Sequence, residues 1–389
     1  KQKTAYEMLR SLVGSEMCIR DSYNPVDIKF GRGTRSDVVD DLSNSVNLVV
    51  TSERGRRQMT DDSILKPFAL NRNNVWIDNI KSNPDVNFLQ KTIDALSSYK
   101  FDAVIGFGGG SALDSAKVLS VALSQSNIGV QLTELIGDIK KVNMTKAIPM
   151  YAIPTTAGTG SEVTPFATVW DKASFKKYSL TGNSVYPYKA IVDPDLVVKD
   201  QRNEIAISTA LDALNQAAES IWNNNMTPIS EMIATSAIKK SIVNIGSIEY
   251  SSVKIDALSE ASLLAGLAIS QTRTALCHSI SYPLTARFGV PHGYACAFTM
   301  PAVLELNMST NDARFDRLKH ALNVDSLEVL FNNIYVDLGV NATVKKYLPS
   351  LDKLYKYIEE MHTPDRANNN LAPVDSEIIK KILRASWER

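Results

Sequence analysis

The stretch "FDAVIGFGGGSALDSAK" (101–117) decides the fold. An apolar run ends in three consecutive glycines, and a helical pattern carrying Asp114 and Lys117 starts at Ser111. An apolar run of this length, cut by glycine and followed by helical periodicity, reads as a buried strand turning into a helix. Glycines let a backbone approach a ligand closely, and a helix N-terminus offers free N–H groups to a phosphate. Gly108, Gly109, Gly110, Ser111 and Asp114 are therefore candidates for holding the diphosphate of a nucleotide. The pattern is not the G-x-G-x-x-G fingerprint, so by itself it names no dinucleotide fold.

The alternation continues on both sides. "VNLVVTS" (46–52), "KAIPMYAIPTT" (146–156) and "KAIVDPDLV" (189–197) read as further strands, and "NFLQKTIDALSSY" (87–99) as a helix. Strands alternating with helices predict a parallel sheet covered by helices. From about Glu204 the strand signals stop. "LDALNQAAESIWNN", "SEMIATSAIKKSIVNI" and "VKIDALSEASLLAGLAIS" carry helical periodicity instead. The expected architecture is an α/β domain over 23–203 and an all-α domain over 204–389. Residues 1–22 stand apart. The run "SLVGSEMCIRDS" looks like translated adaptor sequence, so the natural fold is expected to start near Tyr23.

Hydrophobic residues make up 44% of the chain and charged residues 22%, as in ordinary globular proteins. Lys plus Arg and Asp plus Glu both total 42, so neither nucleic acid nor an anionic membrane is expected as a partner. No apolar run approaches the roughly 20 residues that span a bilayer. The three cysteines, Cys18, Cys277 and Cys296, are too few and scattered for a disulfide framework or a Cys-rich zinc site. A cytoplasmic location is expected. Cys277, beside His278, reads as a small buried hydrophobe rather than a ligand.

"IPTTAGTGSEVTPFATVWD" (153–171) follows a strand and supplies Thr155, Thr156, Thr159 and Thr164 at the edge of the sheet where ligands bind in such folds. In "STALDALNQAAESIW" (208–222), Asp212 and Gln216 are spaced i and i+4 and share a helix face, with Ser208 or Thr209 as its expected N-cap. Two of the four histidines lie close in sequence: His278 in "QTRTALCHSISYPL", four residues before Tyr282, and His292 in "GVPHGYACAF". A divalent metal would accept Asp212, His278 and His292, although spacing alone does not separate a metal cluster from structural histidines. Arg273, Lys177 and Arg287 are cations placed to meet an anionic substrate, or else solvated surface charges.

"GFGGGSALDSAK", "PTTAGTGSEVTPFATVWD", "ALDALNQAAES", "CHSISYPL" and "GVPHGYACA", in this order and spacing, resemble the iron-containing (group III) alcohol dehydrogenase family. The resemblance runs from about Tyr23 to near the C-terminus. It implies a dinucleotide-binding α/β domain, a helical metal-binding domain and a metal in the cleft between them, a general fold shared with dehydroquinate synthase. By position, Asp212, His278 and His292 match three of the family's metal ligands. Gln216 stands where most members carry the fourth, a His, and Tyr282 where many carry a further active-site His. An amide oxygen is a harder and weaker donor than imidazole. Looser binding of Fe2+ is therefore expected, with Zn2+ or a metal-independent variant as alternatives. NAD-preferring relatives carry an Asp where this chain has Ser52, and Arg54, Arg56 and Arg57 follow. NADPH is predicted over NADH, with Lys177 also near the cofactor.

"FATVWD", "KKYSLTG", "AIVDPDL", "AESIWNNNMTPIS" and "SYPLTARFGVPHG" are most similar to the branch of that family that reduces phosphonoacetaldehyde to 2-hydroxyethylphosphonate. This implies metal-assisted reduction of a small phosphonate aldehyde in phosphonate biosynthesis. Tyr282 would supply a proton, and Arg273 with Lys177 would hold the phosphonate. A homodimer is left open. The alternatives are a dehydrogenase of a small neutral alcohol or semialdehyde, a dehydroquinate synthase-like lyase, and a metal-free nucleotide-binding protein.

Overall fold

The structure, a computed structural model, describes residues 22–174, 176–197, 204–245 and 251–389. The expectation for 1–22 falls, but for Ser22, outside the described residues, and so does the chain just before the 203/204 boundary.

Among the described residues, eight strands lie in the first half: β1 (Asp27–Phe30), β2 (Asn47–Val50), β3 (Asn74–Ile77), β4 (Ala103–Gly108), β5 (Met150–Pro154), β6 (Phe166–Asp171), β7 (Lys176–Thr181) and β8 (Lys189–Val192). Six form one parallel sheet in the order β1-β8-β5-β4-β2-β3, while β6 and β7 form an antiparallel hairpin. The inner strands β2, β4, β5 and β8 are buried along their whole length. That is why they read as continuous apolar runs. The period of two sorts their side chains onto two faces. Leu48, Val50, Val104 and Ala152 meet helix α4 (Gly110–Ala122) and helix α3 (Val86–Leu96). Val49, Ile105, Tyr151 and Ile153 meet helices α1 (Ser36–Leu42) and α2 (Glu53–Asp61).

The second half is helical: α5 (Glu204–Ile221), α6 (Pro228–Asn244), α7 (Ser252–Thr272), α8 (Leu276–Phe288), α9 (His292–Met308), α10 (Arg314–Leu322), α11 (Leu327–Asp337) and α12 (Ser376–Glu388), with shorter helical turns between α11 and α12. Its core gathers Leu211, Leu214, Trp222, Ile280, Phe298 and Phe331. Among the described residues, no helix is long and apolar enough to cross a membrane.

Glycines set two close approaches, one between the two halves and one within the helical half. Gly160, at φ +59, lies against Gly266 of α7 so tightly that a Cβ on either would collide with the other's backbone. Gly293, in the first turn of α9, lies against Ser208 of α5, where a Cβ would strike the Ser208 carbonyl. Its N–H donates to Ser208 Oγ at 3.1 Å. Ser208 and Thr209 are therefore not the N-cap of α5, which starts at Glu204. Gly293→Ala is expected to lower the unfolding free energy by about 3 kcal/mol, because the obstructing atoms are backbone and cannot rotate away. Urea denaturation measures it.

Candidate active site

A cavity of about 230 Å³ opens between the C-terminal edge of the sheet and helices α5, α7, α8 and α9. The sequence candidates Gly110, Ser111, Asp114, Thr159, Thr164, Lys177, Asp212, Gln216, His278, Tyr282 and His292 all line it. They arrive from six different segments, so the fold brings together what the sequence scatters.

The helical wall carries the metal candidates. Asp212 and Gln216 project from one face of α5, His278 from the first turn of α8 and His292 from the start of α9. Asp212 Oδ1 lies 3.3 Å from His278 Nε2 and 3.8 Å from His292 Nε2. Asp212 Oδ1 and His278 Nε2 are buried without a hydrogen-bond partner among the described residues. Lone pairs left bare in a buried site cost free energy unless a ligand satisfies them, so these atoms fit a divalent cation. Burial pushes the Asp212 carboxyl up, but the imidazoles of His292 and His278 outweigh it and hold it below the usual range.

Glu219 went unassigned in the sequence, although it follows Asp212 by seven residues on the same face of α5. Its Oε2 accepts from His278 Nδ1 at 2.5 Å. It also accepts from the backbone N–H groups of Ala275 and Cys277 at 2.9 and 2.5 Å. Glu219 thus takes the Nδ1–H of His278 and leaves Nε2, the atom facing Asp212, as the one that would bind a cation on losing its proton. Glu219→Gln is expected to leave the fold intact and to weaken metal retention about 10- to 100-fold, read by chelator competition.

Cys296 was not singled out by spacing either. It sits one turn beyond His292 on α9, with Sγ 3.9 Å from His292 Nε2. Cys277 points away, its Sγ 3.9 Å from Met300 Sδ, in keeping with a buried hydrophobe.

On the sheet side, Gly109 is the N-cap of α4 and has no side chain to occupy the first-turn N–H groups. Gly110 and Ser111 face the cavity there. Gly108, Gly109, Thr155 and Thr156 do not line it. The Thr155 N–H donates to Gly108 at 3.0 Å, and the Thr156 side chain sits beside Gly109, so both support the turn from behind. Asp114 is committed to the chain itself, accepting from Ser161 Oγ at 2.6 Å and the Thr168 N–H at 2.8 Å. Buried Lys117 donates to the Thr164 carbonyl and hydroxyl at 2.9 and 3.0 Å. Burial pushes this amine down to about 8. Ser52 caps α2 by accepting from the Gly55 N–H at 3.2 Å. It lies outside this cavity, beyond the end of β2. Arg56 pairs with Asp78 at 2.5 Å and covers the Trp76 ring, while Arg54 and Arg57 are exposed.

The cationic residues depart from the sequence reading. Arg273 does not line the cavity. It is the C-cap of α7 at φ +62, and its neighbour Thr274 faces the cavity instead. Arg287 pairs with Glu360 at 2.6 Å and covers the Tyr357 ring. Lys177, on β7, does line the cavity, its Nζ 3.7 Å from the centre of the Tyr282 ring. The second cation is Arg366, from the helical turn Pro364–Ala367, whose Nε donates to the Tyr282 hydroxyl at 2.9 Å. Nothing in the polar stretch "HTPDRANNNLAPV" marks it. Burial pushes the Tyr282 phenol up, but Arg366, then Lys177 and His278, bring it down to about 7.

Residues 25–194 match the family model for iron-containing alcohol dehydrogenase, and residues 206–387 match the model for the C-terminal part of the Fe-containing alcohol dehydrogenase family. The chain is 35% identical over 220 residues to a phosphonoacetaldehyde reductase of Streptomyces viridochromogenes, covering 54% of this chain and 55% of that one. It is 32% identical over 260 residues to an NAD-dependent methanol dehydrogenase of Bacillus methanolicus, covering 64% and 65%. The crystal structure of an iron-containing alcohol dehydrogenase from Thermotoga maritima superposes with a TM-score of 0.82 at 29% identity, covering 95% of this chain and 99% of that one. The chain spans 27% to 65% of the length of the first curated relatives it matches.

Proposed function

The chain belongs to the iron-containing alcohol dehydrogenase family, and from that premise we propose that it reduces a small aldehyde bearing a phosphonate, phosphonoacetaldehyde, to the primary alcohol. The observation that carries the substrate class is the pair of cations, Lys177 and Arg366, flanking Tyr282 on the cavity wall. A phosphonate is a compact anion with three acceptor oxygens. A guanidinium and an ammonium facing one cavity suit it, whereas a neutral aldehyde gives them nothing to bind.

A divalent metal would be held by Asp212, His278 and His292, and when bound it supplies Lewis acidity toward a carbonyl oxygen. A nicotinamide cofactor supplies the hydride. The N-terminus of α4 at Gly110 and Ser111 suits its diphosphate. Ser52 in place of an acid, with Arg54 and Arg57 exposed in the next turn, favours NADPH. The protein's own residues do the rest. Lys177 and Arg366 fix the anionic end, so the carbonyl points toward the Asp212 cluster. Tyr282, between the two, gives its phenolic proton to the developing alkoxide.

That role sets a pH dependence. The phenol must be protonated to donate, and its pKa is about 7. kcat/KM for reduction should therefore be level below about 7 and fall as pH rises through it. Tyr282→Phe should lose on the order of 100-fold in kcat and lack that limb. The reading as a whole is tested by NADPH oxidation with phosphonoacetaldehyde against propanal. A kcat/KM for propanal equal to that for the phosphonate would overturn the substrate assignment.

A further inference from the structure

We propose that Cys296, as a thiolate, is the fourth protein donor of the metal centre, and that Gln216 is not. The inference rests on the metal-dependent reading above and concerns which side chains complete the site.

Three observations carry it. First, Cys296 and His292 are spaced i and i+4 on α9, so they face the same way. Second, the donor atoms of Asp212, His278, His292 and Cys296 all lie within 4.8 Å of one another. The separations are 3.3 Å from Asp212 to His278, 3.8 Å from Asp212 to His292 and 3.9 Å from Cys296 to His292. Zinc bonds of roughly 2.0–2.3 Å in a tetrahedron give edges of about 3.3–3.8 Å. The four groups therefore already stand near coordination distances of a common centre. Third, Asp212 Oδ1 and His278 Nε2 are buried and unpartnered, which points to a ligand between these groups independently of the sulfur.

Gln216 is the rival donor, because its Oε1 is also buried without a partner. Its amide is tied down from the other end, with Nε2 donating to the Thr159 carbonyl at 3.3 Å. The amide oxygen is neutral and hard. A thiolate is anionic and soft, and for the later divalent metals it is the stronger donor by far. With sulfur already at 3.9 Å from His292, the thiolate takes the position. Gln216 then anchors the Thr159 loop. An aspartate, two imidazoles and a thiolate favour Zn2+ or Co2+ over Fe2+.

The experiment strips the full chain with a chelator and reloads it anaerobically with one equivalent of Co2+. A near-ultraviolet sulfur-to-cobalt charge-transfer band is expected in the wild type. The band should persist in Gln216→Ala and Cys277→Ser and vanish in Cys296→Ser. Cys296→Ser should also release Co2+ to a competing chelator at least about tenfold more readily than Gln216→Ala. Stoichiometric Co2+ without the band in the wild type, a reading that needs no variant to fold, overturns the role of Cys296 while leaving the metal-dependent reading standing. A band unchanged in Cys296→Ser overturns it equally. A wild-type chain that binds no Co2+ overturns both.

Discussion

Asp212→Asn is expected to lower kcat/KM for aldehyde reduction on the order of 1,000-fold, about 4 kcal/mol of lost transition-state stabilisation. The substitution keeps the shape of the side chain and removes its charge. Asp212 is the carboxylate common to both histidines, 3.3 Å from His278 Nε2 and 3.8 Å from His292 Nε2. Without it, a divalent cation loses an anionic donor and the two rings lose the group that orients them. Metal content should fall together with activity, so elemental analysis accompanies the kinetics. Full metal occupancy with activity within tenfold of wild type would show that the cluster is structural.

Arg366→Ala is expected to lower kcat/KM for phosphonoacetaldehyde about 10- to 100-fold more than that for propanal, and to move the alkaline limb of both substrates to higher pH, because Arg366 also holds the Tyr282 phenol down. The range follows from the roughly 1.5–3 kcal/mol of a hydrogen bond to a charged group. The contrast between the substrates is what matters, because misfolding would depress both. Arg366→Lys should recover part of the loss, since it keeps the charge and gives up the planar fork. Arg273→Ala, at the C-cap of α7 and off the cavity wall, should leave both substrates near wild type. If Arg273→Ala discriminated between the substrates and Arg366→Ala did not, the phosphonate would bind elsewhere.

The contrast between these two arginines shows what the sequence could and could not reveal. β2, β4, β5 and β8 were legible because both faces of each strand are buried, which writes an apolar run into the chain. β1 and β3 are edge strands with partly exposed residues and carry no such run. The hairpin of β6 and β7 lies partly inside a Thr- and Gly-rich stretch that carries no continuous apolar run. Asp212, Gln216, His278 and His292 were legible because their motifs are local. Arg366 and Lys177 both contact Tyr282 although 188 residues lie between them in the chain, and no local pattern encodes that convergence. Glu219 and Cys296 did leave helical spacings from Asp212 and His292, but those spacings gain meaning only once the facing helix is known.

The segment from Thr155 to Thr164 is held at nearly every step. Thr155 bonds to Gly108, Gly160 presses on Gly266, the Thr159 carbonyl takes the Gln216 amide, Ser161 holds Asp114 and Thr164 holds Lys117. A segment pinned to both halves of the molecule in this way can exchange side chains but not change its number of residues. Divergence in what the cavity accepts would then run through substitution on the β6–β7 hairpin and the Pro364–Ala367 turn, which carry the cations, while the spacing between the helix start at Gly110 and the Asp212 cluster stays fixed.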